Sequence, residues 1–416
     1  MTSRPPLPPG PYLVVGLARS GRAAARMLAS HGEVIAVDAG TPDVEGLAFE
    51  AHVGVDGVAL LDRVRTVVKS PGVPREAPVV AEALRRGIEV IGELELAWRA
   101  LPNRFVAVTG TNGKTTTVEL AGEMFRAADM PVAVAGNVGT PLVSLVDECD
   151  EAAWVVCECS SFQLEDSSAF APEVAVLLNL EEDHLDRHGT LERYRDAKLR
   201  VFANQTHGAV AIAPEGLDIP GDGDRSGFAD VDGMELRLRG AHNTENAAAA
   251  AAAALAAGVA RDAVAEALRT FAGVAHRLEE VADVDGVLYV NDSKATNVGS
   301  AACGIAAFEH GVQVILRGSL KGGGFEGLRG ALAARCRAAY LIGDAAPRLA
   351  ADLDGTVTLH RCGTLENAVG HASRAAAPGD VVLLSPACAS FDAFRDYEHR
   401  GDRFRELVAA IGPARE

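Results

Sequence analysis

The chain has 416 residues, 48% of them hydrophobic, and a formal charge of −18. Length and apolar content suit two or three packed domains, and an acidic balance without any basic run argues against a nucleic-acid binder. The most uniform apolar run, Ala247 to Ala257, is too short to span a bilayer. The Pro-rich start lacks the apolar core of a secretory signal, and seven scattered cysteines are an odd number, so they read as reduced thiols of a cytoplasmic protein.

In chain order, Tyr12 to Gly16 (YLVVG) predicts a short buried strand, an Ala-rich helix runs to about Leu28, and a second strand, Glu33 to Val37, ends in Asp38. The loop between them is G-x-x-x-x-G and not G-x-G-x-x-G, so the dinucleotide fingerprint is absent and NAD is not expected. Asp38 suits either a sugar hydroxyl or the cap of a turn. A strand from Thr66 stops in Ser70-Pro71-Gly72, and Ile88 to Gly92 is another. Together these predict a small parallel sheet with helices on its faces. Leu101-Pro102-Asn103 reads as a linker.

Phe105 to Val108 then predicts a buried strand, followed by Gly110-Thr111-Asn112-Gly113 and a helix opening on Lys114-Thr115-Thr116. Strand, Gly-rich loop, Lys-Thr and helix is the phosphate-cradling arrangement, here a short variant of the P-loop. Glycines let backbone N–H groups converge without a Cβ in the way, and the helix N-terminus adds partial positive charge. Lys114 would reach the terminal phosphates and the Thr115 hydroxyl would sit on Mg²⁺. Strands at Pro131 to Ala135 and Trp154 to Cys157 end in Gly136-Asn137 and in Glu158. A carboxylate at that strand end is where a further Mg²⁺-holding group belongs in a P-loop sheet. Val174 to Asn179 predicts a strand running into Asp183-His184 and Asp186, a metal or phosphate candidate, with Lys198 on the amphipathic helix that follows.

Residues Pro214 to Gly240 read as a surface excursion with one short strand pattern, MELRLRG. Asn243 and Asn246 share one face at the start of a long alanine helix, which ends at Gly258 before another begins near Arg261. Gly273 to Glu279 reads as a turn containing His276 and Arg277. Strands at Val287 to Asn291, Gln313 to Leu316, Ala339 to Ile342 and Val381 to Leu384 predict a last doubly wound α/β unit. Its strand ends carry Asp292, Lys294, Thr296, Lys321, Ser390 and Phe391, and Tyr397 opens the final helix.

The blocks GTNGKTTT, GNVG, ECSSFQL, NLEEDHLDRHG, HNTEN, HRLE, NDSKATN and SPACASFD, with GLARSG and KSPG before them, resemble the Mur ligase family. GTNGKTTT marks that family generally, whereas NDSKATN and SPACAS point to its D-glutamate-adding branch. The resemblance implies a three-domain α/β enzyme. An N-terminal Rossmann-like nucleotide-sugar domain would cover 1–100, a central P-loop ATPase-like domain 101–276, and a C-terminal Rossmann-like, glutamate-binding domain 277–416. It implies ATP-dependent addition of D-glutamate to UDP-N-acetylmuramoyl-L-alanine through an acyl phosphate, in peptidoglycan synthesis, by a cytoplasmic monomer that neither enters membranes nor binds nucleic acid.

By the same resemblance, one Mg²⁺ would be held by Thr115 and Glu158, and a second by His184 and a carbamylated Lys198. Gly110 to Thr116, Asn243, Asn246, His276, Arg277 and Asp292 would contact ATP. Leu17, Asp38, Ser70, Gly72, Asn137 and His184 would surround the UDP-linked substrate. Asp183, Lys294, Thr296, Lys321, Ser390, Phe391 and Tyr397 would form the glutamate pocket. Lys114, His184 and Lys198 are the catalytic candidates. Two departures fall in that pocket: Arg317-Gly318-Ser319-Leu320-Lys321 stands where a glycine pair and an acid precede the lysine, and Phe391 and Tyr397 fill places that are often Leu and Phe; a third is Cys159, inside the Glu-x-Ser-Ser block. Two other readings are a related amide ligase, acting on folate or adding L-glutamate or a diamino acid, and a non-catalytic P-loop switch. The N-terminal module argues against folate, the lysines argue against a diamino acid, and a switch would leave His184 and Lys198 without use.

Overall fold

The computed structural model describes residues 4–318, 324–388, 390 and 393–411. Lys321 and Phe391 lie outside them. Three sheets form. The first contains β1 (Tyr12–Val15), β2 (Val34–Asp38), β3 (Glu50–Val53), β4 (Thr66–Lys69) and β5 (Glu89–Gly92), all parallel, in the order β3-β2-β1-β4-β5. The second contains β6 (Arg104–Thr109), β7 (Val132–Gly136), β8 (Trp154–Glu158), β9 (Val174–Leu177), β10 (Val210–Ile212) and β11 (Asp224–Ser226), also parallel, in the order β11-β10-β9-β6-β8-β7. Strands covered on both faces read as continuous apolar runs. Val106 to Val108 in β6 and Val155 to Cys157 in β8 are fully buried for that reason.

These two sheets share one apolar core, which runs from Tyr12 and Leu28 through Trp98 and Phe105 to Phe170 and Phe202. The predicted linker at 101–103 is accordingly anchored. Leu101 and Asn103 are buried, and Asn103 Nδ2 donates to Asp150 O at 2.7 Å and Ala153 O at 2.9 Å. The Arg4 guanidinium donates to Trp98 O at 3.0 Å and stacks on the rings of Trp98 and Phe105.

The third sheet has β12 (Glu279–Val284), β13 (Val287–Asn291), β14 (Val312–Arg317), β15 (Cys336–Ile342), β16 (Thr358–Gly363) and β17 (Val381–Ala387), in the order β12-β13-β17-β14-β15-β16. It is parallel except for β12, which pairs antiparallel with β13 through a tight turn at Asp285-Gly286. Apolar clusters cover both of its faces. The chain divides into two compact units, one running up to Glu235 and including Asn246–Arg269, the other made of Leu236–Glu245 and the chain from Thr270 onward.

The strand pattern MELRLRG is overturned: residues 234–240 form no strand, because no neighbour among the described residues takes up their backbone groups as a ladder. The alanine helix forms as expected, over Ala241–Ala256, with a second helix over Arg261–Thr270. Among the described residues, no helix is long and apolar enough to cross a membrane.

Candidate active site

The second sheet gathers the phosphate-loop residues at the carboxyl ends of β6, β8 and β9. Gly113, with φ of +87°, is the N-cap of the helix Lys114–Ala127. A Cβ there would lie 2.1 Å from Asn246 Oδ1, so only glycine fits. Asn112 N donates to Asn179 Oδ1 at 2.8 Å, and Thr111 Oγ1 accepts from Tyr194 OH at 3.1 Å and Glu181 N at 3.0 Å. The loop is thus fixed by the strand end of β9. Lys114 Nζ turns back on its own loop, donating to Gly110 O and Thr111 O, both at 2.8 Å. The buried Thr116 hydroxyl has no hydrogen-bond partner among the described residues.

Glu158 links this loop to the neighbouring strand. Its Oε2 accepts from Thr115 Oγ1 at 2.6 Å, and its Oε1 accepts from Asn137 Nδ2 at 3.0 Å. Gly136 lets β7 approach, since a Cβ there would meet Glu158 O at 2.3 Å. Lys198 is 2% exposed, donates to Gly110 O at 2.7 Å, and lies over the Tyr194 ring. Burial holds its amine well below the usual lysine range. Lys114 pushes the same way, while Asp183 and Glu158 oppose. His184 has φ of +53°, its N–H donates to Asp183 Oδ1 at 2.9 Å, and its ring sits edge-on to Phe162.

Between the first and second sheets, Gly72 and Asn137 line one cleft of about 240 Å³, together with Arg19, Ser20, Glu93 and Gln163. Leu17, Asp38 and Ser70 are not on its wall. The Leu17 side chain belongs to the core. Asp38 accepts from Leu17 N at 2.7 Å and Gly40 N at 2.8 Å, and Ser70 Oγ donates to Gly16 O at 2.9 Å. These bonds make Asp38 a turn cap, one of its two readings.

In the second unit, Asp292 is buried beyond β13. It accepts from Ser385 Oγ at 2.8 Å and Leu278 N at 3.2 Å, and burial raises its carboxyl to about 7. His276, with φ of +62°, receives Asn291 Nδ2 at Nδ1, 3.0 Å away. Burial lowers its imidazole, and Arg405 adds to that. Lys294 Nζ lies over the Tyr397 ring, and Lys294 N donates to His276 O at 2.9 Å. Thr296 N donates to Lys294 O at 2.9 Å, and Ser390 is buried. The fully buried Arg400 ties Ser293 to Cys388 O. Asn243 donates to Arg239 O at 2.7 Å in this unit, whereas Asn246 and Asp183 belong to the first.

Family models match three stretches: a Mur ligase MurD-like N-terminal domain at 11–92, a Mur ligase middle domain at 108–219, and a Mur ligase glutamate ligase domain at 276–388. A protein of Acidobacterium capsulatum named UDP-N-acetylmuramoylalanine–D-glutamate ligase is 42% identical over 96% of both chains. One of Geobacter metallireducens with the same name is 42% identical over 96% of this chain and 97% of its own. The chain belongs to the Mur ligase family. Two solved structures from Thermotoga maritima share the fold of this Mur ligase at 18% identity. UDP-N-acetylmuramate–alanine ligase MurC has a TM-score of 0.62 over 97% of this chain and all of its own, and MurF ligase in complex with ADP has 0.64 over 98% and 96%.

The sequence reading of this Mur ligase missed several groups that the fold brings to the site. Phe162 and Tyr194 flank the His184 ring, and the His188 ring packs against the same two aromatics. His188 is buried and bonded to Ser161 Oγ at 3.0 Å, and desolvation lowers its imidazole. Glu93, which opens a helix after β5, is buried on the cleft wall and accepts from Val143 N at 3.0 Å, and burial raises its carboxyl. Only the DHLDRH spacing could have pointed to His188, since i and i+4 share a helix face. Nothing local marks Glu93.

Proposed function

We propose that this Mur ligase joins D-glutamate to UDP-N-acetylmuramoyl-L-alanine with consumption of ATP, as a cytoplasmic monomer, through three domains spanning 1–100, 101–276 and 277–416. The observation that carries the proposal is the Glu158 carboxylate. It is shared between Thr115 of the phosphate loop and Asn137 of the cleft, so a phosphate donor and an acceptor carboxylate would meet there. The relatives' names supply the identity of the amino acid.

The residues fit a Mg²⁺ ion at the first position. Thr115 and Glu158 present a hydroxyl and a carboxylate 2.6 Å apart, hard oxygens of the kind Mg²⁺ takes alongside substrate phosphate and water. At the second position His184 and Lys198 fit only if the Lys198 amine is converted to a carbamate, and its buried, low-basicity setting favours the neutral amine that this needs. When bound, the ions would offset the repulsion between the nucleotide phosphates and the substrate carboxylate.

The chain's own groups do the rest. Gly110 to Thr116 cradle the phosphates with backbone N–H groups, and Lys114 leaves its loop carbonyls to neutralise the transferred phosphoryl group. The substrate carboxylate becomes an acyl phosphate, the glutamate amine attacks it, and phosphate departs from the tetrahedral intermediate. Asn243, Asn246, His276, Arg277 and Asp292 hold the nucleotide. Gly72, Asn137 and His184 hold the UDP-linked substrate. Asp183, Lys294, Thr296, Lys321, Ser390, Phe391 and Tyr397 hold glutamate, with the lysines matched to its two carboxylates.

The test is phosphate release with UDP-N-acetylmuramoyl-L-alanine and, in turn, D-glutamate, L-glutamate and diamino acids. Release is expected only when the nucleotide sugar and D-glutamate are both present. Release without an amino acid would favour a nucleotide switch, and equal use of a diamino acid would favour another ligase of the family. In addition, Gly113→Ala should weaken ATP binding about tenfold or more. The added Cβ meets Asn246 Oδ1 at 2.1 Å in a backbone conformation worth roughly 1–3 kcal/mol of strain. Calorimetry reads this directly, and unchanged ATP affinity would rule out this loop as the nucleotide site.

A further inference from the structure

One buried polar cluster, used by none of the steps above, joins the three segments that carry the proposed site. Lys69 ends β4 with a fully buried side chain. Its Nζ lies 2.6 Å from Asp166 Oδ2 and donates to Val73 O at 2.7 Å. The same carbonyl accepts from Arg187 Nη2 at 3.1 Å, and that nitrogen is 3.3 Å from Glu165 Oε2. The Arg187 guanidinium also covers the Phe162 ring, and Arg75 Nη1 donates to Glu165 O at 3.4 Å.

Each partner lies on a segment that begins at the site. Val73 directly follows Ser70-Pro71-Gly72, and Gly72 lines the cleft. Glu165 and Asp166 terminate the helix Ser161–Glu165, whose N-cap Ser160 closes a capping box with Gln163 two residues after Glu158. Arg187 stands three residues beyond His184 in a single helical turn. A cation in a dry interior demands close, directional partners. The Val73 carbonyl joins the 69–73 segment to Arg187, and the ion pairs of Lys69 with Asp166 and of Arg187 with Glu165 bring in the third backbone.

We propose that Lys69 and Arg187, meeting on the Val73 carbonyl, are positioning residues that hold the 70–73 loop in register with Glu158 and His184, so that the UDP-linked substrate presents its carboxylate to the phosphate loop. The proposal rests on the ligase reading for what is being aligned. A buried ion pair can often be replaced by apolar residues of similar volume without loss of stability, which separates alignment from stability in an experiment.

Lys69→Met combined with Asp166→Leu preserves packing, and Arg187→Met provides a second, more exposed perturbation. Both enzymes are expected to keep a melting temperature near that of the parent. Titration of UDP-N-acetylmuramoyl-L-alanine by calorimetry should show affinity lowered about tenfold or more, with ATP affinity unchanged. In turnover, KM for the nucleotide sugar should rise and kcat fall, while KM for ATP stays put. Unaltered binding and kinetics in a well-folded double variant would overturn the proposal, as would equal losses for both ligands accompanied by a fallen melting temperature. A parent enzyme that binds the nucleotide sugar but releases no phosphate would sink the ligase reading alone, and the titrations would still judge the cluster.

Discussion

Lys198→Ala will remove nearly all ligase turnover, by about 100-fold or more, and acetate will restore part of it. The amine lies 2.7 Å from Gly110 O, beside the phosphate loop, and is 2% exposed. Desolvation favours its neutral form. A neutral amine takes up dissolved CO₂ to give a carbamate, whose oxygens suit Mg²⁺ where an ammonium would repel it. Removing such a charge-stabilising group from a dry site costs roughly 10²–10³ in rate. Acetate fills the space left by alanine and returns a carboxylate. Lys198→Arg should show no rescue, because a guanidinium occupies the space with the wrong sign. Activity should also fall when CO₂ is stripped and recover with bicarbonate. Isotopically labelled bicarbonate should give a carbamate resonance in the parent that is missing in Lys198→Ala. Full activity of Lys198→Ala, or the absence of that resonance in active enzyme, would remove the modified lysine from the mechanism.

Lys114→Ala is expected to have the next largest effect, a loss of about 10²–10³ in phosphate release, with the fold intact. Its ammonium holds the carbonyls of Gly110 and Thr111, yet the loop has independent support from Asn179, Tyr194 and the glycine N-cap. The melting temperature should therefore move little while the charge that faces the phosphates is gone. Turnover near that of the parent would refute the assignment of the nucleotide to this loop.

The central strands of all three sheets were readable because a strand buried on both faces needs an unbroken apolar run, as in FVAV of β6 and VVLL of β17. Of the edge strands, β5 and β7 were read but the most solvated ones escaped. EAHV of β3, DRS of β11 and TLHRCG of β16 are half-solvated, so their composition resembles loops. The opposite error occurred at 234–240, where MELRLRG alternates like a strand but has no partner in any sheet. The phosphate loop was legible because its chemistry demands glycine at fixed spacing. The bridge from Glu158 to Asn137 and the pairing of Lys69 with Asp166 were not, since those contacts exist only once separate β-α segments are laid side by side. Asp38 shows the limit of local reading: a strand-end acid suits a sugar or its own turn, and the turn-capping bonds from Leu17 and Gly40 appear only in the fold.

The first compact unit is not one continuous piece of chain. The polypeptide leaves it at Glu235, re-enters at Asn246 and leaves again after Arg269. During synthesis, chains emerge N-terminus first at roughly 5–20 residues per second. The β9–β10–β11 side of the second sheet is thus made well before the alanine helix whose Ala248 carbonyl accepts from Ala229 N, and before Asn246 can reach Gly113. A nascent chain halted at Glu235 has every strand of the first two sheets but lacks the segment that completes the phosphate loop's surroundings. The surroundings of Gly113 are thereby left incomplete until the segment Asn246–Arg269 has been made.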